Sequence, residues 1–256
     1  MGLGTIGYAL GPFVSTSLVD KFGEKSLSYI TVLGLLCAFV LYFQVPKIPK
    51  DSLNYSKESF FSIMKSILKN RECNLLVLIS VVKSALGITF GTFIPFILKD
   101  YGYKLSEIGL IVTLFYILSG ISMITSAKLE KKIGAANIIR LSFFMILPLI
   151  LLFKYFLNIN PDISVVIFII SGYFVFLSAS VTIVAAQKIV KEHKGVISGV
   201  MQGFSWGLGA LTLAPLGYIG EKYSVDLILI IVSIFAFITG IFAITKEVEN
   251  AFLVDC

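Results

Sequence analysis

From Asn74 to Leu98 the chain runs 25 residues with a single charged side chain, Lys83. As a helix rising about 1.5 Å per residue, such a run crosses a hydrocarbon core of about 30 Å. Inside a bilayer every backbone N–H and C=O must be satisfied internally, which leaves helices or closed barrels. Seven more runs of this kind are read at 2–19, 27–45, 107–127, 138–156, 163–187, 196–219 and 226–245. The expectation is an all-α polytopic membrane protein with about eight transmembrane helices and the lipid bilayer as its first partner. A mean hydropathy of +0.95, with 57% hydrophobic and 14% charged residues, excludes a soluble globular domain. The net charge of +6 sits in the loops, so it reports topology rather than nucleic-acid binding.

One polar stretch divides the chain. Residues 46–72 carry Lys47, Lys50, Lys57, Lys65, Lys69 and Arg71 against Asp51, Glu58 and Glu72. Within it, Phe60, Ile63, Met64, Ile67 and Leu68 follow helical spacing, with Ser62, Lys65, Ser66 and Lys69 opposite. That pattern fits a helix in the membrane interface or an ordinary linker helix. The organisation is therefore two helices in 1–45, a linker in 46–72, and six helices in 73–256. Fourteen Lys and Arg residues lie on the linker side of the spans and six on the other, which predicts a cytoplasmic linker and cytoplasmic termini in the plasma membrane.

Enzyme chemistry finds no footing. Cys37, Cys73 and Cys256 form no metal or disulfide spacing, His193 stands in a Lys-rich loop, and no Asp, Glu or His falls inside a span beyond its first residue. No catalytic residue, metal or cofactor is expected, because hydrolytic or metal chemistry needs clustered ligands and bases.

An internal likeness organises the rest. T-S-L-V-D-K-F-G (Thr16 to Gly23) closes the first span, and G-Y-I-G-E-K-Y-S (Gly217 to Ser224) closes the seventh. Both follow glycine-rich spans with a proline, Pro12 and Pro215, six helices apart. A six-helix period around a long linker resembles the major facilitator superfamily, built from two six-helix halves. The resemblance implies a helical bundle in which these spans are helices 5–12 of a 12-helix plan, with a helical segment missing before them.

Several motifs carry the likeness. Gly7-Tyr8-Ala9-Leu10-Gly11-Pro12 resembles the G-x-x-x-G-P motif of the superfamily's exporters, in which Gly7 and Gly11 allow close helix contact and Pro12 kinks the helix. The segment A-K-L-E-K-K-I-G from Ala127, read as a loop over 128–134, resembles the superfamily's G-x-L-x-D-R-x-G with its acid displaced to Glu130. V-V-K-S-A-L-G-I-T-F-G-T-F-I-P (Val81 to Pro95) and G-V-I-S-G-V-M-Q-G-F-S-W-G-L-G-A-L (Gly195 to Leu211) resemble the fosmidomycin-resistance exporters.

The candidate site follows from buried polarity. Placing Lys83 at mid-depth costs about 2.5–3.5 kcal/mol on insertion scales, so it should face a cavity, where it would attract an anion. Gly87 and Gly91, one and two turns on, are expected to leave room for a ligand. Tyr173, Ser180 and Gln187 share one helix face, for interhelical hydrogen bonds or for substrate. Gly195, Gly199, Gly203 and Gly207 form a ridge for tight packing of a neighbouring helix, with Gln202 and Trp206 beside it. Lys83, Tyr116, Tyr173, Gln202 and Trp206 are the expected substrate-binding set. The implied function is a secondary transporter, a proton-coupled exporter of a small anionic compound, its proton carrier outside these spans or Lys83 itself. The alternatives are an organic-anion uptake carrier and a truncated, non-transporting membrane protein.

Overall fold

The computed structural model describes residues 2–44, 64–65, 67 and 69–242. Helix α1 (Gly2–Phe22) and helix α2 (Ser28–Gln44) come first, joined through a short 3-10 turn, Glu24–Leu27. After the linker come α3 (Arg71–Asp100) and α4 (Leu105–Ile133), then a span made of α5 (Ala135–Phe144) and α6 (Ile146–Leu157). The next span is α7 (Pro161–Leu177) continued by α8 (Ala179–Ile189). The span after that joins α9 (Lys194–Gly199), a π turn (Val200–Phe204), α10 (Ser205–Leu211) and α11 (Leu213–Lys222), and α12 (Val225–Phe242) closes the described chain. The fold is an all-α polytopic bundle.

Seven of these rods are long and apolar enough to cross a membrane. Helix α1 is not among them, because Gly, Ser and Thr dilute its hydropathy, yet it runs antiparallel along α4 from Ser106 to Ile124. A Cβ at Gly2 would press on Ile124 and Gly120, the Phe13 N–H donates to Thr113 Oγ1 at 3.2 Å, and Thr16 fills the space over Gly109. At the far end the Ser106 N–H donates to Asp20 at 2.8 Å.

The ends obey local chemistry. Asn70 caps α3 by accepting from the Cys73 N–H at 3.0 Å, and Asn160 caps α7 ahead of Pro161 by accepting from the Ile163 N–H at 3.3 Å. Gly102 and Gly134 turn the chain with φ of 85° and 79°, conformations that a side chain would strain. The segment read as a loop over 128–134 is instead the last turns of α4, with Gly134 alone making the turn. Its Ala, Leu, Glu and Lys residues are strong helix formers.

The core lies among α3, α4, α6, α7 and α12. Phe115 stacks on Phe168 with centroids 4.7 Å apart, and Phe90, Ile94, Phe153 and Ile228 are wholly buried around them. Helix α2 buries no side chain against the described chain. Of the linker's amphipathic helix, Phe60, Ile63 and Leu68 lie outside the described residues. Met64 and Ile67 pack into a second cluster with Cys73, Leu76 and Ile197, so that part of the apolar face is covered by protein.

Candidate substrate cavity

A cavity of about 500 Å³ opens among α1, α3, α4, the α7–α8 span and the π turn. Its one cation among the described residues is Lys83, which is 3% exposed and is the thirteenth of the 30 residues of α3. The ammonium lies 6.0 Å from the centre of the Phe176 ring, at the outer range of a cation–π contact. Among the described residues no hydrogen-bond acceptor or carboxylate pairs with it. A buried ammonium left without a partner is costly, and an anion entering the cavity would supply one.

The opposite wall comes from the π turn. Here the Ser205 N–H and hydroxyl both turn to the Val200 carbonyl five residues back, the hydroxyl at 3.2 Å. The wider turn presents Gln202 and Gly203 to the cavity, with Trp206 beyond them. The Gln202 amide makes no hydrogen bond among the described residues, which leaves a donor and an acceptor facing the space.

Tyr116 closes one side. Its hydroxyl donates to the Gly87 carbonyl at 3.4 Å, and its ring meets Phe115 and Phe176 edge-on. A Cβ on Gly91 would collide with the Tyr116 hydroxyl, and one on Gly87 would lie 2.7 Å from Phe176. The expected room beside Gly87 is therefore taken by the Phe176 ring, while Gly91, close under the Tyr116 hydroxyl, still lines open space.

The same architecture answers to a known sequence family. The model of the Major Facilitator Superfamily matches residues 1–214, which include every element of the cavity. The chain belongs to the Major Facilitator Superfamily. It is 23% identical over 233 residues to the Fosmidomycin resistance protein of Escherichia coli (strain K12), covering 88% of this chain and 56% of that one. It is 28% identical over 141 residues to an uncharacterized MFS-type transporter of Methanocaldococcus jannaschii, covering 53% of this chain and 36% of the relative. The chain thus spans about half the length, or less, of these curated relatives.

Within this superfamily fold, Lys83, Tyr116, Gln202 and Trp206 come together around one cavity although they lie on three different spans. Tyr173 does not join them. Its hydroxyl is 2.9 Å from Thr125 Oγ1, away from the cavity, while Ser180 donates to the Met123 carbonyl at 3.0 Å and Gln187 to Ser198 at 2.6 Å. The polar face of that span is thus spent on neighbouring helices.

The glycine ridges also differ from expectation. A Cβ at Gly7, Gly11, Gly195, Gly199, Gly203 or Gly207 would meet nothing within 4 Å in the described structure. The close helix contacts fall instead at Gly109, Gly120 and Gly209. Sequence reasoning passed over Tyr8, Thr5 and Met123, which complete the cavity. Tyr8 sits inside the Gly7–Pro12 motif, where attention went to the glycines and the proline. Among the described residues no group of His, Cys, Asp and Glu could hold a metal ion.

Proposed function

We propose that this chain forms the substrate-binding part of a secondary transporter that exports a small anionic compound by alternating access. The unpaired Lys83 ammonium on the wall of an aromatic cavity carries this reading. Lys83 draws in the anionic group, Gln202 offers its amide to a polar substituent, and Tyr116 and Trp206 enclose the apolar body. The likeness to the E. coli fosmidomycin resistance protein makes a phosphonate such as fosmidomycin the first compound to try. No acidic side chain lines the cavity among the described residues, so proton coupling in this scheme draws on residues outside it. The open glycine faces of α1 and the α9–α11 span would seat further helices, which the greater length of the relatives supplies.

The test is efflux of labelled fosmidomycin from cells expressing the intact transporter. A charged hydrogen bond contributes about 1.5–3 kcal/mol, so Lys83→Ala should cut export about tenfold or more at equal expression. Lys83→Arg, which keeps the charge, should retain part of the activity. Wild-type export by Lys83→Ala would sink the role given to Lys83, and inward accumulation would replace export by uptake.

A further inference from the structure

A second chamber of about 360 Å³ lies against the first, walled in part by Ser15, Thr16, Thr92 and Pro95. Three side chains belong to both chambers: Tyr8, Tyr116 and Trp206. They meet edge-on, Tyr8 to Tyr116 with centroids 5.2 Å apart at 84°, and Tyr8 to Trp206 at 6.4 Å and 77°. The chambers differ in depth. The first reaches Lys83 and Met123, whereas the second reaches Leu105 and Ile108, near the end where Asp20 meets Ser106.

We infer that this aromatic trio is a partition across the path, with Tyr8 its movable leaf and the second chamber an uncharged vestibule toward the Asp20 end. Two of the three rings are fixed. Tyr116 is 5% exposed, held by the Gly87 carbonyl and by its seat over Gly91, and Trp206 packs partly buried against the core. Tyr8 is 57% exposed and is held by its two edge contacts and by its hydroxyl, which hydrogen-bonds with that of Tyr116.

Its backbone is loosened as well. Pro12, four residues on, has no N–H to give the Tyr8 carbonyl, and its ring crowds that carbonyl. A Cβ at Gly4, Gly7 or Gly11 would meet nothing within 4 Å among the described residues, so this face of α1 is open around Tyr8. The vestibule holds its ligand weakly. Ser15 and Thr16 donate to the carbonyls of Gly11 and Pro12, both at 2.8 Å, and among the described residues no charged side chain lines the chamber. An anion would pause there and settle beside Lys83 only once Tyr8 swings aside. The inference rests on the cavity lying on a transport path, but its test reads no transport.

The test uses the intact protein in sealed vesicles with Cys37, Cys73 and Cys256 replaced by Ser. Thr92→Cys marks the vestibule and Met123→Cys the Lys83 chamber. Sulfonatoethyl methanethiosulfonate, an impermeant anion, is added from the face at the Asp20 end. Thr92→Cys should react quickly and Met123→Cys slowly. Adding Tyr8→Ala should speed Met123→Cys about tenfold or more, since reaction no longer waits on a minor open state, and leave the Thr92→Cys rate unchanged. Tyr8→Phe should keep the protection. Should Tyr8→Ala fail to reach the membrane, Tyr8→Leu gives the same comparison. Equal rates at Met123→Cys with and without the ring, or a Thr92→Cys shielded from that face, would overturn the partition. Normal export by Lys83→Ala would overturn the anion site and leave the partition standing.

Discussion

Ser84 follows Lys83, about 100° further round α3, and lies in the contact with α10. Its hydroxyl is buried without a hydrogen-bond partner, and a Cβ on Gly209 would lie 2.9 Å from the Ala85 nitrogen and 3.0 Å from the Ser84 carbonyl carbon. Backbone atoms cannot step aside as a flexible side-chain tip can. Gly209→Ala should therefore cost about 1–3 kcal/mol, seen as a lower melting temperature of the purified protein in detergent. Ser84→Ala should leave that temperature unchanged or raise it, because it removes a buried polar atom that is not satisfied. A Gly209→Ala protein as stable as the wild type would mean that α10 does not bear on α3 here. In the sequence the four regularly spaced glycines, Gly195, Gly199, Gly203 and Gly207, take the emphasis, and Gly209, two residues beyond them, does not stand out. What a glycine admits depends on the phase of the partner helix, and no spacing within its own helix reports that. Lys83 was legible for the opposite reason, since the cost of burying a charge is written in the residue itself.

Among the elements, α1 caps α4. Lys104, at the start of α4, has no acceptor oxygen to offer, and Asp20 from α1 takes the Ser106 N–H instead. The carboxylate also meets the positive end of the helix dipole. Asp20→Ala should lose about 0.5–2 kcal/mol, and Asp20→Asn should keep most of it, as thermal unfolding of the two variants would show. Equal melting temperatures for Asp20→Ala and wild type would remove the cap from the account. The sequence paired Asp20 with Glu221 as a repeat, but Glu221 makes no such bond among the described residues. Helix ends at Asn70, Asn160, Gly102 and Gly134 follow from local residue types, although the sequence reading sets its spans without them and makes 128–134 a loop. Breaks inside spans were not legible. Two of them, at Met145 and Thr212, come three residues before Pro148 and Pro215, whose rings disturb the turn behind them. The third, at Ser178, coincides with the Ser142 hydroxyl donating at 2.6 Å to the Phe174 carbonyl, the acceptor that a continuous helix would give to Ser178. That insertion needs a residue from another span, so nothing local announces it.

At the scale of the whole molecule, the two ends of the bundle differ in how their charges are used. At the end that holds Asp20, Tyr101 donates to Asn158, Tyr103 donates to Asp162 at 3.3 Å, and Lys154 lies 3.4 Å from Asp226. Burial and then the Asp162 carboxylate push the Tyr103 phenol above its ordinary range, so it stays a donor throughout physiological pH. The other end carries Arg71, Lys128, Lys131, Lys132, Lys188, Lys191 and Lys194 on helix ends and turns. Lys and Arg close to span ends are retained on the cytoplasmic side, and acids count little in that balance. The geometry adds a constraint that charge counting lacks. Because α1 lies antiparallel to α4, with Asp20 at Ser106, fixing one turn to one side of the membrane fixes all the others. Two single-cysteine proteins then decide the orientation, each made with Cys37, Cys73 and Cys256 replaced by Ser. Tyr223→Cys lies in the exposed turn before α12, and Glu192→Cys in the turn between α8 and α9. In intact cells an impermeant maleimide should label Tyr223→Cys at once and Glu192→Cys only after the membrane is opened. That outcome puts the vestibule behind Tyr8 on the outer face, so an anion leaving Lys83 passes the aromatic partition on its way out. The reverse labelling would turn the same path inward, and a carrier that admits its anion through Tyr8 would be one of uptake.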